Sequence, residues 1–392
     1  MNTVLPGESL TRRHMPFAIA CAAALCGAAL PGCSWLEAWR MRARRDGPHP
    51  MLAAARAHHI NMFGELDHDR GTEYLARSSV SLRRHTFTEV GGDGDVTVDP
   101  GGWRIAFAST RHSERPDLYV KAVEGVAVTQ LTSDPAADVQ PAFSPDGRRI
   151  AFASDRSGQW DIWVIEVEGG QPLRVTASDA DEIHPSWSPD GRQIVYCSLA
   201  GAGAQWELWI TDADAGASRK FIGYGLFPEW SPHGDAILYQ RARERGSRRF
   251  SVWSMPLTGG EPGYPSELAS SSQHAYTLPA WSADGERVAF SSVTEMPAQA
   301  VEVGMAAVVY DVWVMQADGR GLTRLTDGYS TNYAPSFGRD GRIFFISNRS
   351  GHDNVWSLLA DRTRLHAEGT EHLTDARAHD GGVKYVYGDD NG

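Results

Sequence analysis

"FSPDGRRIAFASDRSGQWDIWVI", Phe143 to Ile165, holds a tight turn, an apolar run, a loop and a second apolar run. In Ser144-Pro145-Asp146-Gly147 the proline presets φ and the glycine supplies the positive φ that a tight hairpin link requires. The run "RIAFAS" that follows is apolar on both faces, as expected of a strand covered on both sides. "DIWVI" is a second such strand. The short run "QPAFS" before the turn is a third.

The pattern returns along the chain. Aligned on the turn glycine, it recurs at Gly102, Gly147, Gly191, Gly234, Gly285 and Gly341, at intervals of 45, 44, 43, 51 and 56 residues. Each unit reads as four strands, the last ending in "QLT", "RVT", "RLT" or "HLT". A four-stranded sheet with two apolar faces cannot stand alone. Six of them packed face to face around an axis bury those faces and leave only short outer edges. The sequence therefore predicts an all-β fold, a six-bladed β-propeller of four-stranded antiparallel blades. Its aromatic series (Phe143, Trp187, Trp230, Trp281, Phe337; Tyr119, Trp163, Trp209, Trp253, Trp313, Trp356) recurs at fixed register and reads as core packing.

Ser-Pro-Asp-Gly, the following "IAF.S", "DRSG" (again as "NRSG" at Asn348 to Gly351) and Asp-Ile-Trp together resemble the repeat of TolB-type six-bladed propellers. These are related to the propellers of prolyl oligopeptidases and, more distantly, to WD40-like repeats. The resemblance covers residues 83–392. Blades 1, 4 and 6 depart from the turn consensus at Pro100-Gly101-Gly102, His233 and Gly338-Arg339, but keep the glycine. For ring closure, "RRHTFTEV" (Arg83 to Val90) competes with "EHLTD" near Thr374, and the N-terminal segment is favoured.

The residues before the ring read as processing and tethering signals. Arg12 and Arg13 precede "PFAIACAAALCGAAL", an apolar stretch short for a bilayer span. "LPGC", Leu30 to Cys33, resembles the lipoprotein box of bacteria, with Pro31 a departure. The resemblance implies removal of residues 1–32, lipidation of Cys33 and a tether over 33–82. A secretory signal cut elsewhere is the alternative. Cleavage would leave Cys197 as the one unmodified thiol, so an exported chain would hold together by packing alone. Arg40, Arg42, Arg44 and Arg45 would lie near anionic headgroups or in a solvated linker. Ser34 is compatible with sorting to an outer membrane. The cluster His58, His59, Asp67, His68 and Asp69 has no recognised metal spacing.

Net charge is −12 over 392 residues, which argues against a nucleic-acid partner. No G-x-S-x-G elbow, H-E-x-x-H, P-loop or paired-cysteine motif occurs. No catalytic residue, metal or cofactor is therefore assigned. The α/β domain that TolB proteins carry before the propeller is replaced by the tether, so the resemblance implies the scaffold and not membership of a Tol–Pal system.

Seven residues before each turn glycine stand Asp95, Gln140, His184, Phe227, Leu278 and Ala334, expected to ring one mouth of the axial channel. Length changes collect in the second-to-third and fourth-to-first connections, which share one face. The largest, Ser291 to Asp311, carries Met296, Val301, Val303 and Met305, and is either a partner-docking element or a flap or extra hairpin packed on its own blade. Arg243, Arg245 and Arg248 in blade 4 share that face. The sequence thus points to a monomeric, periplasmic, lipid-anchored scaffold that binds an envelope protein or peptide. The alternative is a hydrolase- or lactonase-like enzyme using a channel-bound metal or ligand, with Asp95 and His184 as first residues to test.

Overall fold

The computed structural model describes residues 81–200, 205–214, 219–242, 249–295, 308–326, 328 and 330–359. These form six antiparallel sheets, one per repeat. Blade 1 runs from its inner strand Asp93–Val98 through Arg104–Ser109 and Asp117–Ala122 to Val128–Gln130. Blade 2 repeats this with Asp138–Phe143, Arg149–Ser154, Asp161–Glu166 and Leu173–Arg174. Blade 3 uses Asp181–Trp187, Gln193–Leu199, Glu207–Asp212 and Arg219–Tyr224. Inner strands of successive blades touch around the whole ring, with blade 6 against blade 1. The architecture is the expected all-β six-bladed propeller.

The second strands form the buried heart of each blade. Ile105, Phe107, Ile150, Phe152, Ile194, Tyr196, Val288 and Phe290 are all fully buried, because sheets cover both their faces. The aromatic series packs into or against this core. At the turn, Gly147 has φ +68° and donates its N–H to Ser144 O at 2.8 Å. The Ser144 hydroxyl accepts from Arg149 N at 2.9 Å. The Arg104 guanidinium of blade 1 reaches Gly147 O at 2.8 Å, so the turn also ties neighbouring blades.

The ring closes through the N-terminal segment. Strand Ser81–Arg84 pairs antiparallel with blade 6's third strand Asn354–Leu359, Ser81 opposite Leu359 and Arg84 opposite Trp356. It thus begins ahead of the boundary expected at residue 83. The segment after it is stitched by Val355 N to Thr86 Oγ1 at 2.8 Å and Thr88 N to Asn354 Oδ1 at 2.7 Å. The competing segment near Thr374 lies outside the described residues.

Two long connections fold into paired strands. "LTGGEPGYPSELASSSQHAYTLP" reads as a polar loop. Instead blade 4's third strand extends over Phe250–Thr258 and pairs with both Glu261–Pro262 and Ser266–Ala269. In blade 5, strands Arg287–Glu295 and Val308–Gln316 continue their pairing out to Glu295 opposite Val308. Residues 296–307 between them lie outside the described residues.

Candidate functional site

The six residues placed seven before each turn glycine share one unusual backbone state. Asp95, Gln140, His184, Phe227, Leu278 and Ala334 have φ between +49° and +56° and are the six non-glycine residues with positive φ among those described. Each sits at a register shift between its inner and second strands. This bulge bends the inner strand at the axis and re-aims the side chain. A left-handed conformation is costly for residues with a Cβ and persists where its surroundings fix it.

Here the neighbouring blade does the fixing. Asp95 Oδ2 accepts from Gln140 N at 3.3 Å, and Gln140 Oε1 accepts from His184 N at 3.0 Å. Farther round, Gln240 Oε1 accepts from Leu278 N at 3.0 Å and Ser291 Oγ from Ala334 N at 3.1 Å. Since Gln140 accepts through Oε1, its amide nitrogen donates to His184 Nε2 at 3.2 Å. That leaves the imidazole neutral, with its proton on Nδ1. Burial drives the same way, holding the His184 pKa well below its ordinary value. The His184 ring lies 3.8 Å from that of Phe227. The structure therefore brings Asp95, Gln140, His184 and Phe227 together as a continuous chain of contacts.

Two residues further along each inner strand is a second circle that the sequence reading missed. Ser186 Oγ accepts from Trp230 N at 3.0 Å, and Glu229 Oε2 from Trp281 N at 2.9 Å. Glu229 is part-exposed, and desolvation pushes its carboxyl up to about 8. Asp95, on the opposite side of the ring, rises to about 6 for the same reason. The axis thus holds two carboxyls that titrate near neutrality, with no opposite charge among the causes of either shift. The glycine register pointed to the first circle. The second has no residue type in common, with Ala142 and Ala280 standing where Ser186 and Glu229 do, so nothing in the repeat marks it.

The face formed by the second-to-third connections is locked by a repeated arginine. In blade 2, Arg156 donates to both carboxylate oxygens of Asp138 at 2.8 Å and to Ser154 Oγ at 2.9 Å. Its guanidinium lies 5.4 Å from the Phe152 ring and 5.0 Å from that of Trp163. Arg111 holds Asp93 at 2.9 Å in the same way in blade 1, and Arg349 holds Asn332 at 2.8 Å in blade 6. This is what the "DRSG" motif builds. In blade 3 Ala200 takes the arginine's place, and Arg219 reaches in from the outer strand to Glu182 at 3.3 Å.

Cys197 is fully buried, donates to Ile183 O at 3.4 Å and has its thiol pKa raised by burial. It behaves as a small core residue. Met296, Val301, Val303, Met305, Arg243, Arg245, Arg248 and the proposed lipidation site Cys33 all lie outside the described residues. Among the described residues no three His, Cys, Asp or Glu side chains converge as metal ligands.

Fold and site together define a six-bladed β-propeller, and its repeats are similar to those of TolB-type propellers. Residues 82–260 match the family described as the TolB beta propeller domain. An uncharacterized protein of Agrobacterium fabrum is 27% identical over 143 residues, covering 36% of this chain and 41% of its own. A TolB homolog of Chlorobium luteolum is 34% identical over 95 residues, 24% of this chain and 21% of its own. The chain therefore spans less than half the length of either curated relative. A solved structure from Agrobacterium tumefaciens described as a TolB superposes with a TM-score of 0.53 at 18% identity, over 72% of this chain and 98% of its own.

Proposed function

We propose that this chain is a non-catalytic scaffold of the bacterial envelope, exported, monomeric and lipid-anchored at Cys33. It presents the face of its longer connections to an envelope protein or peptide. The observation that carries this reading is the use made of the axial polar groups. Asp95, Gln140 and His184 are engaged with one another across blade boundaries, so they hold the ring's geometry. The variable loops are left as the recognition elements. In-cell crosslinking followed by pull-down tests it, comparing the native chain with one lacking residues 296–305. A specific crosslinked partner lost on deletion supports the reading, and an unchanged crosslink pattern removes that loop from the site. Separately, Cys33→Ala should release the protein from membranes. Retention would refute the anchor.

Glu229 and Asp95 favour the second reading, a channel that binds a small ligand or metal for hydrolytic chemistry. Groups titrating near neutrality are suited to general acid–base work. Metal analysis of the purified protein and an ester and lactone panel, with Glu229→Gln and Asp95→Asn as controls, decide between the two.

A further inference from the structure

The repeats allow each turn position to be compared with its counterparts in the other blades, and blade 1 departs at two of them. The residue after the turn glycine is charged in five blades: Arg148, Arg192, Asp235, Glu286 and Arg342. In blade 1 it is Trp103, which is 74% exposed. Backbone bonds confirm the equivalence. Trp103 O accepts from Val123 N just as Arg148 O accepts from Val167 N and Glu286 O from Ala317 N, each at 2.8 Å. Three residues beyond Val123 comes Val126, 89% exposed, where blades 2, 4 and 5 have Gly170, Gly260 and Arg320. Two large apolar side chains thus stand on adjacent turns where the same fold elsewhere uses charge or glycine. Neither is buried in the blade, and paired exposed apolar groups mark a contact surface.

Their location bears on what they face. Ser81 pairs with Leu359, at the end of blade 6's third strand, so the chain enters the ring on this hairpin-turn face. Arg83, two residues on, bonds Glu124 of the very turn that carries Val126, at 2.6 Å. Exposed Arg339 of blade 6 lies against Gly102. The segment that leads to this corner carries the apolar stretch from Pro16 to Leu30 and the arginines at 40, 42, 44 and 45. A tryptophan and a valine set among ion-paired arginines, Arg83 with Glu124 and Arg104 with Asp99 and Glu168, suit the boundary between headgroups and acyl chains.

We infer that Trp103 and Val126 dock the hairpin-turn face of blade 1 onto a lipid bilayer, turning the opposite, variable-loop face away from it. The orientation rests on the anchored reading above. The residues between Cys33 and Ser81 can extend about 160 Å, so an anchor alone would leave the ring free to tumble. Tethering also holds the face at an effective concentration of about millimolar, at which a weak contact is enough.

The test uses the full chain, expressed with its own leader and reconstituted into phosphatidylethanolamine–phosphatidylglycerol vesicles carrying brominated acyl chains. An environment-sensitive dye is placed at Val126→Cys or, as control, at Arg320→Cys on the equivalent turn of blade 5. Cys197 is buried and does not label. Bromine quenching several-fold stronger at 126 than at 320, and abolished by Trp103→Arg, is the expected result. Trp103→Arg installs the residue type that blades 2, 3 and 6 already tolerate. Equal quenching at both positions, or no effect of Trp103→Arg, overturns the inference. If the chain proves to have no lipid at Cys33, an extra labelled thiol reports it. The same protein added to vesicles at high lipid then gives the same two readings, so anchor and docking fail separately.

Discussion

The seam where blade 6 meets blade 1 should be one pH-sensitive part of the ring, and Asp353→Asn measures by how much. Asp353 is 6% exposed. Its backbone carbonyl accepts from Asp93 N at 3.0 Å across the seam, while its carboxylate Oδ1 has no hydrogen-bond partner in the protein. Burial, reinforced by the Asp93 carboxylate, raises its pKa from 3.8 to about 7. Asp93 itself is held by Arg111 at 2.9 Å, so that guanidinium is already engaged. A carboxyl moved this far ties about 4 kcal/mol of stability to its proton. The sign follows from the raised value. Stability is complete below pH 3.8, is lost as pH rises to about 7 and is level above it. Asparagine cannot ionise. At pH 8 the variant should therefore exceed the parent by about 4 kcal/mol, or about 10 °C in Tm for a ring of this size. Near pH 4 the two should converge. Thermal unfolding across pH 4 to 8.5, followed by tryptophan emission, reads the difference directly and cancels the like-signed contributions of Glu229 and Asp95. A pH-independent gap, or a variant less stable at pH 8, would refute the reasoning.

Three further outcomes follow from contacts described above. Arg156→Ala should cost about 3–5 kcal/mol, because it leaves the fully buried Asp138 carboxylate without its cation; Arg148→Ala, on an exposed turn, should change the midpoint of urea unfolding hardly at all. Thr86→Ala should cost about 1–3 kcal/mol by stranding the buried Val355 N–H of blade 6's third strand, and amide exchange should rise first at blade 6. Cys197 should resist maleimide in the native protein and react in stoichiometric amount once urea unfolds it.

Much of this molecule can be read from one glycine. Because the turn fixes φ at Gly147 and its equivalents, counting back seven residues lands on every left-handed residue of the inner strands, from Asp95 to Ala334. The second circle stands five before the same glycines, but Ser186 and Glu229 share no residue type with Ala142 or Ala280 at that position, so the repeat does not mark it. The hairpin in blade 4 escaped for a different reason. "EPGYPSELASS" is polar because it lies at the outer edge, where burial imposes little pattern on a strand. The motif arginine of "DRSG" looks like a solvated loop charge in sequence. Only the fold shows Asp138, Ser154 and two aromatic rings closing around Arg156.

The closing strand carries a mechanical consequence. Ser81 is both the first residue of that strand and the point where everything upstream joins the ring. Among the described residues, tension along the preceding chain therefore reaches the Ser81–Leu359 pair first. In antiparallel geometry such a load opens hydrogen bonds one after another, like a zip, instead of shearing them all at once. Blade 6 would yield first under strain, while blades 2 to 5, each woven from one continuous stretch, would still be intact.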